Sequence, residues 1–356
     1  MRVLQLIDSL NSGGAERMAI GYANQLVNSL DGSFLCATRK EGLLKTTIDS
    51  GVEYLFLKKR RTLDLRAILI LLRYIKKNNI DVIHAHSSSF FYASIMKVFK
   101  PSLNLVWHDH YGQNEMLQNR KFKMLKNCSI YFDLIISVNV NLRDWAEKNL
   151  KCNRVFYLKN FSSESARDKP IISLNGDNDF RIVCLANMRE QKDHLTLLTA
   201  FKLVQKKHPF VSLHLLGQIH HDIYYSNLVA FIKENNLKQV FFYDAQNGVL
   251  ELLKSCKLGV LSSKSEGLPM ALLEYGLAKL PVVCTDVGQC KEVTNQYGLL
   301  VPPNNPAAFG EALLYYIENP INREEDALAF SRHIKDQYSF ETVKSKLLSL
   351  YKTRSY

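Results

Sequence analysis

The sequence predicts an α/β protein built from two doubly wound domains, and three observations predict it. Short apolar runs alternate with helix-length stretches from residue 3 to residue 318. Runs such as Leu134–Val138 and Asp81–Ala85 are continuous rather than alternating, as parallel strands buried on both faces require. The alternation lapses once, across 162–179, and then restarts, so the whole pattern occurs twice. A chain of 356 residues has room for two such domains.

In the first half, strands are expected at Val3–Ile7, Ser33–Thr38, Glu53–Leu57, Asp81–His86, Asn104–His108, Leu134–Val138 and Arg154–Leu158. Helical stretches between them include Ala15–Val27, Leu63–Lys77, Phe90–Phe99 and Asn141–Asn149. The segment 162–179 is polar, carries Pro170 and Gly176, and reads as a linker. Strands resume at Arg181–Ala186, Val211–Leu216, Val240–Tyr243, Leu258–Leu261, Pro281–Thr285 and Gly298–Val301. Helices fit at His194–Lys206, Tyr224–Asn235, Gly248–Ser255, Pro269–Ala278 and Pro306–Glu318. Asn305 can cap the last of these, and Pro306 suits its first turn. The tail carries no strand and reads as two helices broken near Tyr338-Ser339.

Composition removes several classes. Hydrophobic residues make up 47% and charged residues 22%, too apolar for disorder, and 16 Gly with 9 Pro exclude a collagenous chain. No apolar run approaches the roughly 18 residues of a membrane span, and Asp8 interrupts the first one, unlike a signal peptide. A cytoplasmic protein is the expectation. Seven Cys form no CxxC pair, which argues against disulfides and a structural zinc site. Charge is uneven. Residues 1–165 hold 24 Lys+Arg against 14 Asp+Glu, a net of +10, whereas 166–356 hold 22 against 20, a net of +2. A basic half implies an anionic partner.

The sharpest local feature is Ser265-Glu266-Gly267-Leu268-Pro269 with Glu274 in the helix that follows. Glu266 sits just past a buried strand, at the edge where open α/β sheets bind ligands. Gly267 permits a tight turn, Pro269 starts the helix, and the helix N-terminus offers free N–H groups to a phosphate. At about 1.5 Å per residue, Glu274 lies roughly 10 Å beyond Glu266, a separation that suits carboxylates gripping hydroxyls on either side of a diphosphate. Read as ordinary structure, the segment is a capped surface helix with two solvated Glu. Arg189 and Lys192, in the loop after Arg181–Ala186, form a second candidate: fixed cations at a strand end neutralise a departing diphosphate. Gly13-Gly14 follows a buried strand and opens a helix, so backbone amides can approach a phosphate. The spacing is not GxGxxG, which argues against a nicotinamide site.

These segments carry a resemblance. Residues 265–274, SEGLPMALLE, resemble the E-x7-E motif of the large retaining glycosyltransferase family four. Residues 6–17 are similar to that family's first strand, Gly-Gly loop and first helix, and Asp81–His86 resembles its fourth strand. Tyr338–Tyr351 looks like its C-terminal helix, so the resemblance spans nearly the whole chain. It implies the GT-B fold: two Rossmann-like domains facing a central cleft, 1–165 for the acceptor and 166–339 for a nucleotide-sugar, with a helix at about 340–356 crossing back to the first domain. It further implies Glu274 on the ribose, Arg189 and Lys192 on the diphosphate, Glu266 on sugar hydroxyls with the amides of Gly267 and Leu268, and Gly13-Gly14 closing over the donor phosphate. His110 takes the place of a family His that contacts the transferred sugar near its anomeric centre. The family usually carries Arg five residues before the Lys; here that residue is Asn187, and Arg189 is expected to substitute. No metal and no cofactor are expected, the nucleotide-sugar being a substrate. A sugar-nucleotide isomerase of the same shape and a non-catalytic nucleotide- or glycan-binding paralogue stay open as alternatives.

Three further features are weighed. His84/His86, His108/His110 and His220/His221 invite a metal reading, but HxH on a strand puts both rings on one face by simple alternation, and no Cys or carboxylate completes a zinc spacing. Asp177-Asn178-Asp179 matches a DxD signature yet lies in a Gly/Asn-rich linker and reads as a turn. The basic residues of the first half concentrate at Lys58–Arg61, at Arg66, Arg73, Lys76 and Lys77 around a stripe of Leu65, Ile68, Leu69 and Leu72, and at Arg120, Lys121, Lys123 and Lys126. The stripe is expected to pack inward and the cations to touch the inner face of the cell membrane, with a lipid-linked saccharide as acceptor. Nucleic acid is not expected, since no aromatic-basic interleaving appears.

Overall fold

The structure, a computed structural model, describes residues 1–112, 114–162, 173–176, 179–246 and 248–352. The chain divides into two compact units, Met1–Ser163 with Phe340–Tyr356, and Glu164–Ser339. The first runs β1 (Arg2–Ser9), α1 (Gly14–Leu26), β2 (Gly32–Lys40), β3 (Val52–Phe56), α2 (Leu65–Lys77), β4 (Val82–His86), α3 (Phe90–Phe99), β5 (Asn104–Asp109), α4 (Lys123–Cys128), β6 (Leu134–Ser137), α5 (Val140–Asn149) and β7 (Val155–Tyr157). The second runs β8 (Phe180–Leu185), α6 (His194–Lys207), β9 (Val211–Leu216), α7 (Ile223–Glu234), β10 (Val240–Tyr243), α8 (Val249–Lys254), β11 (Leu258–Leu261), α9 (Met270–Leu277), β12 (Val282–Thr285), α10 (Cys290–Thr294), β13 (Leu299–Val301), α11 (Pro306–Glu318) and α12 (Pro320–Tyr338). A final helix, α13 (Phe340–Lys352), returns to the first unit.

Both sheets are parallel throughout, in the orders β3-β2-β1-β4-β5-β6-β7 and β10-β9-β8-β11-β12-β13. In each the chain builds outward on one side of its first strand and then crosses to the other. That puts switch points between β1 and β4 and between β8 and β11, where loops diverge and leave a crevice for a ligand. Strands such as β6 and β9 are buried at every position, which is why they read as continuous apolar runs. The expected elements appear with ends shifted by a residue or two; the short helices α4 and α10 were not foreseen. Of the linker, 163–172 lies outside the described residues, as do Asp177 and Asn178 of the DxD match.

α2 corrects the sequence reading. Asp64 caps it through the Ala67 amide at 3.1 Å, and its buried face is Ala67, Ile68, Leu71 and Ile75. Leu65 and Leu69, expected to pack inward, are 75% and 53% exposed. The helix turns by about 100° per residue, so a stripe drawn through Leu65 and Leu69 is rotated off the face that meets the sheet.

Two tyrosines lock layers together. Tyr351 of α13 hydrogen-bonds His84 Nδ1 at 2.7 Å through its hydroxyl, and its carbonyl accepts from Asn104 Nδ2 at 2.9 Å. Phe340, Val343, Leu347 and Leu350 bury beside it, each worth on the order of 1.5–3 kcal/mol. Tyr275 of α9, fully buried, accepts the Leu185 N–H at 2.7 Å and donates to Val260 O at 3.0 Å, bridging β8 and β11 at the switch point. Gly259 makes room for its ring, since a Cβ there would come within 2.6 Å of it. Tyr275→Phe orphans a buried amide and should cost about 1–3 kcal/mol, measured as a lower urea midpoint at unchanged slope.

Candidate active site

Two loops leave the β8/β11 switch point and are stitched to each other. The Lys264 amide donates to Gln191 O at 2.8 Å, Gln191 Nε2 donates to Ser265 O at 2.8 Å, and Ser262 Oγ donates to the carbonyls of Lys192 and Asp193 at 3.0 Å. Asp193 adopts φ 49°, and its carboxylate caps α6 by accepting the Thr196 N–H at 3.4 Å, with a second bond from Thr196 Oγ1 at 2.7 Å. Held this way, Lys192 places Nζ 2.6 Å from Glu266 Oε1, and Ser263 Oγ donates to the same oxygen at 2.6 Å. The Glu266 side chain is 7% exposed and that of Lys192 23%, so the pair sits at the rim of the fold.

Behind Glu266 stands Gly288, which sequence reading missed. It has φ 54°, and a Cβ there would lie 2.0 Å from Glu266 O. The next residue, Gln289, donates its amide to Gly267 O at 3.1 Å. Only glycine lets this loop close behind Glu266; the available signal was a Gly between a strand and a helix.

Arg189 is exposed; its carbonyl accepts the Lys192 N–H at 2.9 Å, and its guanidinium makes no ion pair or hydrogen bond among the described residues and faces solvent at the same strand edge. Asn187, at the position where the family carries Arg, accepts the Gln218 N–H at 2.9 Å through Oδ1 and ties the β8 loop to the β9 loop. Gly267 is half-buried and Leu268 buried. Pro269 is the N-cap of α9 rather than its first residue, and no side chain caps that end, which leaves N–H groups pointing out past Gly267 and Leu268. Glu274 lies half-buried on the second turn.

The first unit presents the other candidates. Gly13 is the N-cap of α1 in extended conformation, and Gly14 is exposed. Over this turn stands Glu16, whose Oε1 accepts from Ser9 Oγ at 2.9 Å and whose Oε2 would lie 2.2 Å from a Gly13 Cβ. A phosphate approaching these amides meets that carboxylate first.

His110 follows β5 directly. β4 and β5 pair with His86 opposite His108, so two HxH segments that read separately in sequence become one group. His84 Nε2 lies 3.1 Å from His108 Nδ1, and His86 Nδ1 lies 3.0 Å from His110 Nε2. His86 Nε2 also meets Gln5 Oε1 at 2.9 Å. Ring nitrogens of His84, His86 and His108 fall within 4.8 Å of one another, close enough for a metal ion, but they already pair among themselves and with Tyr351 and Gln5. Burial, reinforced by neighbouring imidazoles, drives His84, His86 and His108 well below the usual histidine range, and burial pushes His110 down to about 3. All four rings are therefore neutral near pH 7. His220 and His221 are exposed and stand apart, after β9.

Part of the expected basic surface turns inward. The Lys59 side chain is 4% exposed, 3.3 Å from Asp8 Oδ1 and 4.0 Å above the Tyr92 ring. Arg120 is 8% exposed, bidentate on Asp109 at 2.6 and 2.8 Å, and stacked between Tyr111 and Trp145. Lys59 answers the half-buried Asp8 and Arg120 the buried Asp109, pairings that the sequence pattern does not reveal.

Two parallel sheets of this kind define a GT-B glycosyltransferase fold. Among solved structures of it, HepE of Anabaena, in complex with UDP and glucose, matches at TM-score 0.78 and 17% identity over 98% of each chain. A variant of Staphylococcus aureus TarM, in complex with fondaparinux, α-GlcNAc-glycerol and UDP, matches at 0.78 and 13% over 99% of this chain and 100% of that one. The family described as Glycosyltransferase Family 4 matches residues 12–160, and that described as Glycosyl transferases group 1 matches 166–333. The chain belongs to glycosyltransferase family four, and it is a transferase. A relative, the capsular polysaccharide biosynthesis glycosyltransferase CapH of Staphylococcus aureus, is 24% identical over 311 residues, 83% of this chain and 84% of that protein.

Proposed function

We propose that the chain is a retaining glycosyltransferase that moves a sugar from a UDP- or GDP-linked donor to a lipid-linked saccharide in surface polysaccharide or glycan synthesis. One observation carries this reading: the partly buried Glu266–Lys192 pair at the β8/β11 switch point, with the uncapped N-terminus of α9 and the solvent-facing Arg189 guanidinium at the same edge. Lys192, Arg189 and the α9 amides neutralise the leaving diphosphate without a metal, which is the electrostatic contribution such a reaction needs most. Glu266 holds sugar hydroxyls with the amides of Gly267 and Leu268, and Glu274 holds the ribose. Gly13 and Gly14 take the donor phosphate once Glu16 swings aside. His110 serves the sugar near its anomeric carbon, and retention follows if the acceptor attacks the face the nucleotide leaves, with the departing phosphate taking its proton. UDP in the HepE and TarM complexes and the name of CapH support the donor class and the pathway.

The test is nucleotide release from a panel of UDP- and GDP-sugars without acceptor, beside Glu266→Ala and Lys192→Ala. Slow release from one donor, lost in both variants, is the expected result. Isomerised donor in place of released nucleotide would sink the reading.

Membrane contact belongs to the same proposal. Leu63, Leu65 and Leu69 are 63%, 75% and 53% exposed, and Phe99 and Ile130 are each 62% exposed. Exposed Arg60, Arg61, Arg66, Arg73, Lys76 and Lys77 surround the first three. Apolar side chains among cations match an anionic bilayer, at about 1 kcal/mol per cation. Among the described residues no helix is long and apolar enough to cross a membrane. Co-sedimentation with phosphatidylglycerol vesicles should fall at least tenfold in Leu65→Asp/Leu69→Asp; equal binding would remove this part.

A further inference from the structure

We infer that Gln5 and His86 are positioning residues that hold His110 in one tautomer, protonated on Nε2, so that its bare Nδ1 accepts a hydrogen bond from a sugar hydroxyl. The inference rests on the placement of His110 at the transferred sugar. It follows from the direction of a buried hydrogen-bond chain. Gln5 Oε1 can only accept, so His86, 2.9 Å away, must carry its proton on Nε2. A neutral imidazole has one N–H, which leaves His86 Nδ1 bare. His110 Nε2, 3.0 Å from that atom, must then be the donor. His110 stacks on His108 and makes no other hydrogen bond among the described residues, so Nδ1 is left for a ligand.

The Gln5 amide nitrogen is buried without a hydrogen-bond partner among the described residues, and the amide oxygen is the atom that meets His86. Tyr351 heads a second chain. Its hydroxyl meets His84 Nδ1 at 2.7 Å, His84 Nε2 meets His108 Nδ1 at 3.1 Å, and His108 Nε2 ends the chain buried and unpartnered. Each chain runs from an anchor, Gln5 of β1 or Tyr351 of α13, through two histidines. Neutral rings keep this order, because a protonated His86 would donate from both nitrogens and reverse it. His110 therefore meets its ligand as an acceptor and supplies no proton to the reaction.

Long-range proton–nitrogen correlation NMR of the full chain separates protonated from bare ring nitrogens, with His110→Ala identifying the signals. The wild type should show His110 bare at Nδ1. In Gln5→Leu, which keeps the volume and removes the acceptor, the signals should move to a mixture of tautomers, and transfer should slow several-fold at unchanged donor KM. A wild-type His110 protonated on Nδ1 overturns the inference, and this holds even if Gln5→Leu does not fold. An unchanged tautomer in folded Gln5→Leu overturns it too. If the tautomer is as inferred but His110→Ala transfers sugar at the wild-type rate, the placement of His110 at the sugar is what fails.

Discussion

Lys192→Ala is expected to lower the rate of sugar transfer by about 10²–10³-fold, the cost of losing one preorganised charge at a developing anion. The geometry makes the effect specific. The loop that carries Lys192 is fixed by Ser262, Gln191 and the capped start of α6, which holds its ammonium at Glu266. Stability should fall as well, because Glu266 stays buried with Ser263 but without its cation; breaking a buried pair costs about 3–5 kcal/mol. Lys192→Ala/Glu266→Gln separates the two effects. Removing the stranded charge should restore most of the stability and none of the activity, measured by urea unfolding beside single-turnover transfer. Recovery of activity in the double variant would mean that Lys192 serves the fold alone.

Acid should destabilise the protein well above the pH at which carboxylates titrate. His84, His86 and His108 are held far below the ordinary histidine value by burial, His110 lies at about 3, and His194 and His214 at about 4, again chiefly through burial. The unfolded chain takes up these protons near pH 6.5 and the folded chain refuses them. Their contribution is therefore complete above about pH 6.5 and drains away as pH falls toward the folded values. Each such ring contributes roughly 1.4 kcal/mol per pH unit within that window. The four in the first unit should together remove about 5–6 kcal/mol between pH 7.5 and 5.5, against a typical total of about 5–15. Asp8 works in a lower window. Burial raises its pKa, but hydrogen bonds from Thr38 and Ser88 and the charge of Lys59 outweigh that and leave it lowered, so its share goes only below about pH 4. Urea midpoints at pH 7.5 and 5.5 check the claim; equal midpoints would mean that the histidines are wet and protonated when folded.

How much of this was legible in the sequence depends on what each feature rests upon. Buried parallel strands announce themselves, because every side chain of β6 or β11 must be apolar or small. The switch-point loops were legible for a related reason: Gly267, Pro269 and the paired Glu and Lys sit at fixed steps from a strand end. Helices α4 and α10, of six and five residues, are too short to show a period. Pairing between strands was out of reach. The histidine group needs β4 beside β5 in register, and Gly288 matters only because its loop closes behind Glu266. Charge was misread where a partner is distant in sequence: Lys59 belongs to Asp8 and Arg120 to Asp109, so two of the expected surface cations are core. α2 failed through phase, since its buried face is Ala67, Ile68, Leu71 and Ile75 rather than the stripe through Leu65 and Leu69.

The central claim is transfer of a sugar by the edge that carries Lys192 and Glu266. Its most direct test follows a radiolabelled sugar from its nucleotide donor into a membrane lipid extract, with wild type and Glu266→Ala side by side and the new linkage read by NMR. Label is expected in a lipid-linked saccharide, with the anomeric configuration of the donor kept and the product missing from the variant. Label that moves equally in the variant, or an inverted linkage, would contradict it.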